Sequence, residues 1–185
     1  MTSAKTLASY LLFLFKEQMQ GLQAEEFDVT PLKLQKLLYY CQGYSLALTG
    51  KTLFSEPIEA WKFGPVVQSV YQEYKKYKGN SIPYEDAEVP DDIDDTAASI
   101  ANMVVNEKGR LSGMALAAAT HKERPWKETF SGVYNNDIIP VQLIQEFFIE
   151  ENLKQEEPDD NEDAFWASVG YPVSNQELEA VLAEI

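Results

Sequence analysis

Apolar side chains recur at helical spacing near the start of the chain. Four of them fall at the i, i+3, i+4 and i+7 positions that share one face of a helix, namely Leu7, Tyr10, Leu11 and Leu14. This spacing predicts a first helix over residues 3–19.

A second helix has the clearest start signal in the sequence. Thr30 can cap it, and Pro31 suits the first helical position because no backbone N–H is needed there. Gly50 is expected to end it, so the helix should cover residues 31–49. Its apolar face would consist of Leu34, Leu37, Leu38 and Cys41. The polar residues expected to point away from that face are Lys33, Gln35 and Lys36.

Alternation replaces helical spacing over residues 58–63, which predicts a short strand. Gly64 and Pro65 would then form a turn that starts a third helix over residues 66–77. Residues 81–84 are a second short segment of this kind, and we expect it to pair with the first strand.

Three more helices are predicted in the second half of the chain. The first begins among the acidic residues 91–95, which suit the positive end of the helix dipole. The next begins after the capping residue Ser112 and ends near His121, because Pro125 disfavours helix at the residue before it. Pro140 opens the third.

The C-terminal segment is strongly acidic. Residues 150–185 hold eleven acidic residues and one base, within a formal net charge of −15 for the whole chain. A charged linker is expected first, and then a final helix, since Ser174 and Glu177 form a capping box. Its apolar stripe would be Leu178, Val181, Leu182 and Ile185. Such a helix would dock either on its own domain or on another protein.

These elements predict a mainly α fold, a single helical domain with a small two-stranded β element, followed by a C-terminal acidic linker and a short helix. The domain would span residues 1–153, and the linker with its amphipathic helix residues 154–185. A chain of 185 residues, 45% of them hydrophobic, can form such a core without disulfides or metals. No apolar run approaches the length of a membrane span, so we expect a cytoplasmic protein.

The acidic balance also indicates which partners fit. Nucleic-acid phosphates and anionic membranes would repel this chain, whereas a basic protein surface would attract it. We expect the tail to contact such a partner through its acidic residues and its terminal stripe. The acidic residues concerned are Glu156, Glu157, Asp159 and Asp160.

Lysines and tyrosines near one another offer a different interpretation, because single-strand binders stack bases on aromatic side chains beside basic residues. Tyr39 and Tyr40 lie near Lys36, and Tyr71 and Tyr77 lie near further lysines. The tyrosines fall at helical spacing, however, which core packing explains equally well. Together with the net charge, this argues against nucleic acid as the partner.

Motifs for catalysis, cofactors and metals are absent from the sequence. His121 and Cys41 are its only histidine and its only cysteine, and no phosphate-binding loop or nucleophile elbow occurs. Cys41 is expected to be a buried, inert thiol rather than a nucleophile paired with His121. The sequence therefore predicts a binding protein, with no catalytic residue, cofactor or metal.

Residues 120–126 admit two interpretations. In one, His121 ends a helix, Glu123 pairs locally and Trp126 packs into the core. In the other, His121 and Glu123 contact a partner or ligand, or form the centre of an unrecognised enzyme.

Three segments together resemble the Panacea domain, which occurs in SocA-like antitoxins and in many phage-associated proteins. They are residues 30–40 (TPLKLQKLLYY), 59–66 (EAWKFGPV) and 120–126 (THKERPW), which occur in the expected order. The positions that carry the resemblance are Pro31, Lys33, Leu34, Gln35, Lys36, Tyr39, Trp61, Gly64, Pro65, His121, Glu123, Pro125 and Trp126.

This resemblance implies a helical fold with a small β element and neutralisation of a cognate toxin by direct contact, with the toxin gene usually adjacent. Some members of the family are identified as proteolytic adaptors that deliver the toxin to an AAA+ protease, and others neutralise by binding alone. Both modes remain open for this chain. The resemblance covers roughly residues 5–150, so it implies nothing about the tail.

Overall fold

The computed structural model describes residues 2–19, 28–132 and 135–156. Within them lie seven α-helices and one two-stranded antiparallel sheet. The helices are α1 (Ala4–Met19), α2 (Pro31–Thr49), α3 (Gln68–Tyr74), α4 (Asp95–Lys108), α5 (Gly113–Thr120), α6 (Arg124–Thr129) and α7 (Val141–Glu156). The strands are β1 (Ile58–Trp61) and β2 (Gly64–Val67). The prediction of a mainly α fold with a small β element is confirmed.

Helix α2 is the central element of the fold. It begins as the sequence predicts, with the Thr30 hydroxyl accepting a hydrogen bond from the Lys33 backbone N–H at 3.3 Å and Pro31 in the first turn. It ends at Gly50, which adopts the left-handed conformation. Because α1, α3, α4, α5 and β2 all pack against it, little of its surface reaches water.

The three polar residues expected to point away from the apolar face of α2 are nevertheless buried. Lys33, Gln35 and Lys36 are only 1%, 3% and 0% exposed. A helix surrounded by other elements has no solvent face, so its polar side chains must find partners inside the protein. Helical periodicity in the sequence cannot reveal this, since it locates the most apolar face and not the number of neighbours.

The first strand pairs with a different segment from the one predicted. β1 and β2 form a hairpin in which Trp61 lies opposite Gly64 and Ile58 opposite Val67. Residues 64–67 are therefore strand, and the third helix begins only at Gln68. A two-residue connection closes a hairpin at much lower entropic cost than a distant segment would.

Residues 81–84 are not a strand in the structure. This segment binds the residues before α2 through a backbone hydrogen bond, which Ile82 N–H donates to the Val29 carbonyl at 2.9 Å. The second neighbour of β1 is instead the segment around Ile138, since Ile139 N–H donates to the Ile58 carbonyl at 2.8 Å.

Helices α4 and α5 begin where the sequence predicts them, α4 among the acidic residues 91–95 and α5 directly after Ser112. Asp94 caps α4 by accepting from Ala97 N–H at 2.9 Å, and Ser112 caps α5 by accepting from Ala115 N–H at 3.1 Å. Helix α6 was not predicted, because Pro125 was interpreted only as a helix breaker. In the structure it lies in the first turn of α6, where proline is tolerated.

Helix α7 extends further than predicted. It continues to Glu156, so residues 154–156, where the linker was expected to begin, are helical. Residues Met1–Ile149 form one compact unit. The predicted tail residues Glu157, Asp159, Asp160 and the stripe at 178–185 lie outside the described residues. No helix among the described residues has both the length and the apolar composition needed to cross a bilayer.

Candidate interaction site

The three sequence motifs meet in space around the β1–β2 hairpin. Two buried side chains of α2 bind the backbone of β2. The Gln35 side-chain oxygen accepts a hydrogen bond from Val67 N–H at 2.7 Å, and Lys36 Nζ donates to the Pro65 carbonyl at 2.9 Å. These two polar residues, which the sequence placed outside the core, hold the hairpin against the central helix.

Gly64 is the point where all three motifs touch. Its φ is +96°, a conformation that side chains rarely adopt. A β-carbon there would lie 2.6 Å from the Thr120 hydroxyl and 2.8 Å from Lys36 Cε. Only glycine lets the hairpin approach α2 and the end of α5 this closely.

The third motif supports the hairpin from the other side. Trp126 donates its indole N–H to the Trp61 carbonyl at 2.8 Å. His121 stacks on Trp126 with ring centroids 4.1 Å apart, and its backbone N–H bonds the carbonyls of the last turn of α5. This agrees with the interpretation in which His121 ends a helix and Trp126 packs against the core. We call Gln35, Lys36, the hairpin and residues 120–126 the motif cluster.

Glu123 has a partner on the central helix in addition to the local pairing that the sequence suggests. Its carboxylate accepts a hydrogen bond from the Tyr40 hydroxyl at 2.7 Å. Burial, followed by the Glu123 charge, raises the pKa of Tyr39 and of Tyr40 well above the ordinary value. Both phenols therefore remain protonated, and the Tyr40 hydroxyl is the one that donates to this carboxylate.

The motif cluster contains a lysine in an unusual environment. Burial lowers the pKa of Lys36 to about 7. The pKa of His121 is also lowered, first by burial and then by the nearby Lys36 charge, while a hydrogen bond to the Lys62 backbone opposes the shift. The Lys36 charge therefore disfavours the protonated form of His121.

Cys41 is buried in the core, and burial raises its thiol pKa far above the ordinary value. A protonated, inaccessible thiol is a poor nucleophile. Among the residues that the structure describes, no group of three or more histidine, cysteine, aspartate or glutamate side chains is arranged to hold a metal ion. The chemistry that the motif cluster offers is hydrogen bonding and packing.

An apolar groove of about 620 Å³ lies beside the hairpin. We call it the hairpin groove, and its apolar wall is formed by Trp61, Phe63, Val66, Tyr71 and Met114. Lys62 and Lys78 also line it. Phe63 is 54% exposed and Met114 66%, so both large side chains face solvent. Of these wall residues, the sequence analysis singled out Trp61 as a motif position and Tyr71 as a candidate for base stacking. It did not single out Phe63 or Met114, although Phe63 at a hairpin turn is a usable signal.

Comparison with known proteins gives the family. The model of the family described as Antitoxin SocA-like, Panacea domain matches residues 34–127, slightly more than half of the chain. The protein Antitoxin SocA of Caulobacter vibrioides (strain NA1000 / CB15N) is 45% identical over 49 residues. That match covers 26% of this chain and 26% of the relative, so the chain matches about a quarter of that protein's length. No solved structure matches the chain. The family match includes residues 34–40 of the first motif, the whole β1–β2 hairpin and all of residues 120–126. The chain belongs to the SocA-like, Panacea-domain antitoxin family.

Proposed function

We propose that this protein is the antitoxin of a toxin–antitoxin system and that it neutralises its toxin by direct protein–protein contact. The observation that carries the proposal is the family match over residues 34–127, which includes the motif cluster. The packing of that cluster supports a binding role, because its polar groups serve to hold the hairpin and not to open a reactive cavity.

Neutralisation by contact is favoured over catalysis for a second reason. The Cys41 thiol is buried and protonated, and the His121 ring packs against Trp126, so neither side chain is arranged as a nucleophile with a paired base. We therefore assign the protein a binding function with no catalytic residue.

The test is co-expression with the product of the adjacent open reading frame, followed by growth and co-purification. Expression of the neighbour alone should stop growth, and this protein should restore growth and co-purify with it. An unrelated protein of similar size and net charge is the control for non-specific electrostatic binding. A neighbour that is harmless and does not bind would contradict the proposal.

Proteolytic delivery is distinguished by the lifetime of the toxin. Under neutralisation by contact alone, the toxin accumulates as a stable complex and its half-life does not shorten. A shorter half-life that depends on an AAA+ protease would identify the protein as an adaptor.

We also propose that the acidic tail contributes to the contact. The net charge of −15 is concentrated there, and toxins that act on RNA or nucleotides need basic sites that such a tail would complement. Deletion of residues 157–185 leaves all described elements intact and should weaken neutralisation. The matched control replaces only Leu178, Val181, Leu182 and Ile185 with serine, which separates the stripe from the charge. Full neutralisation by the deleted chain would show that the tail is dispensable.

A further inference from the structure

The hairpin groove differs in charge from the rest of this acidic protein. Among its lining residues are two lysines, Lys62 and Lys78, and no acidic residue, against a net charge of −15 for the whole chain. A comparable groove of about 610 Å³, beside the loop at 82–91, is lined by four acidic residues and no base. The hairpin groove is therefore a locally basic, apolar surface on an otherwise acidic molecule.

A second groove continues this surface along the N-terminal end of α2. It measures about 670 Å³ and shares Leu32, Lys78 and Met114 with the hairpin groove. This second part is lined by the basic residues Lys33, Lys78 and Arg110 and by one acidic residue, Asp28. The shared walls make one continuous depression with Met114 in its middle, large enough to receive several side chains of an extended or helical segment.

The exposed Phe63 of the hairpin groove lies on a segment whose backbone is held in place on both sides. Phe63 lies in the two-residue connection of the hairpin, and both neighbours of that connection are fixed by the motif cluster. Trp126 binds the Trp61 carbonyl, and Gly64 is packed between Thr120 and Lys36. Lys62 places its amine 5.3 Å from the centre of the Phe63 ring. An anchor held in this way loses little conformational entropy when a partner binds.

We propose that the hairpin groove binds an acidic segment of the toxin that carries at least one large apolar side chain. The apolar wall with Phe63 and Met114 would receive that side chain, and Lys62 and Lys78 would face the carboxylates beside it. The inference rests on the proposed function, because it takes the toxin as the occupant. It also gives the motif cluster a role, which is to position the hairpin that contacts the toxin.

A single-stranded nucleic acid is the competing occupant, since tyrosines and lysines lie close together here. The groove fits a peptide better for two reasons. Its wall is mainly aliphatic and aromatic carbon, and the overall negative charge of the protein opposes a polyanion that needs many phosphate contacts.

The experiment titrates purified toxin against groove variants and matched controls. Phe63→Asp and Met114→Asp should each weaken toxin binding by roughly tenfold or more, because they place a charge at a desolvated contact. Leu48→Asp is the control for an apolar-to-acid change. Leu48 is 54% exposed at the far end of α2, so its substitution should leave the affinity unchanged.

Charge reversal tests the proposed attraction between the groove lysines and the carboxylates of the toxin segment. Lys62→Glu and Lys78→Glu should slow association by roughly threefold to tenfold and flatten its dependence on salt. Lys51→Glu, an exposed residue just beyond the C-terminal end of α2, is the matched control. Thermal unfolding of every variant shows whether the fold is kept, and the exposed positions make this the expected result.

The outcomes separate the two proposals. If the wild-type protein binds no toxin, the proposed function fails. If it binds toxin and the folded groove variants bind equally well, the groove assignment alone is wrong. A fluorescent single-stranded DNA or RNA that displaces the toxin from the wild type, and that loses affinity in Lys62→Glu, would replace the peptide with nucleic acid.

Discussion

Replacement of Lys36 by methionine tests whether the buried amine destabilises the fold. The side chain is 0% exposed, and its Nζ donates to the Pro65 carbonyl at 2.9 Å. Burial lowers its pKa from 10.5 to about 7. The unfolded chain therefore binds this proton more tightly than the folded protein does, and stability should rise with pH from about 7 to 10.5.

The size of the effect follows from the two pKa values. A shift of one unit corresponds to 1.36 kcal/mol, so the burial cost is about 4 kcal/mol near pH 7 and about 2 kcal/mol near pH 9. Methionine removes this cost but leaves the Pro65 carbonyl without its donor, which costs about 1–3 kcal/mol at any pH. Lys36→Met should therefore be more stable than the wild type by about 1–3 kcal/mol near pH 7, and close to equal near pH 9.

Urea unfolding followed by tryptophan fluorescence, at several pH values between about 7 and 9, measures the unfolding free energies of Lys36→Met and the wild type. Lys51→Met is the control, because this exposed lysine has no burial cost to remove. The decisive quantity is the change with pH in the stability difference between Lys36→Met and the wild type. A difference that stays constant from about pH 7 to about pH 9 would refute the reasoning, since the amine would then titrate alike in both states.

Three further predictions follow from the same packing. Gly64→Ala should lower the unfolding free energy by about 2–4 kcal/mol in thermal or urea unfolding, because strain at positive φ adds to a steric clash. Gly50→Ala is the control, since Gly50 also has a positive φ but open space around it, and it should lower the unfolding free energy by about 1 kcal/mol. Tyr40→Phe should lower the unfolding free energy by about 1–3 kcal/mol through the lost hydrogen bond to Glu123. Glu123→Gln keeps an acceptor and should lower the unfolding free energy by less. Equal decreases in the two variants would argue against this hydrogen bond as the cause. Cys41 should react with a thiol reagent at least about a hundredfold more slowly in the native than in the urea-unfolded protein, and rapid labelling of the native state would contradict its burial.

The buried polar residues of α2 explain why part of the site could not be predicted from the sequence. The motif itself was recognised, and so were the positions of Gln35, Lys36 and Gly64 within it. Their roles were not, because Gln35 and Lys36 bind backbone atoms 32 and 29 residues away. The partner of Glu123 was missed for the same reason, since Tyr40 lies 83 residues earlier in the chain.

The sequence by itself determined the features that depend on neighbouring residues. Thr30 and Pro31 begin α2, Gly50 ends it, and Asp94 and Ser112 cap the helices that follow them. Capping, proline geometry and helical periodicity act within about one turn of chain, so the order of residues is enough to reveal them.

Only the tertiary structure decided the strand that pairs with β1, the number of elements packed around α2, and the contact of Gly64 with Lys36 and Thr120. Each of these depends on which of several segments approaches a given surface most favourably. That choice balances loop-closure entropy, burial and hydrogen bonding over the whole compact unit. A local pattern does not contain this information, so the burial of Lys33, Gln35 and Lys36 could not be predicted from it.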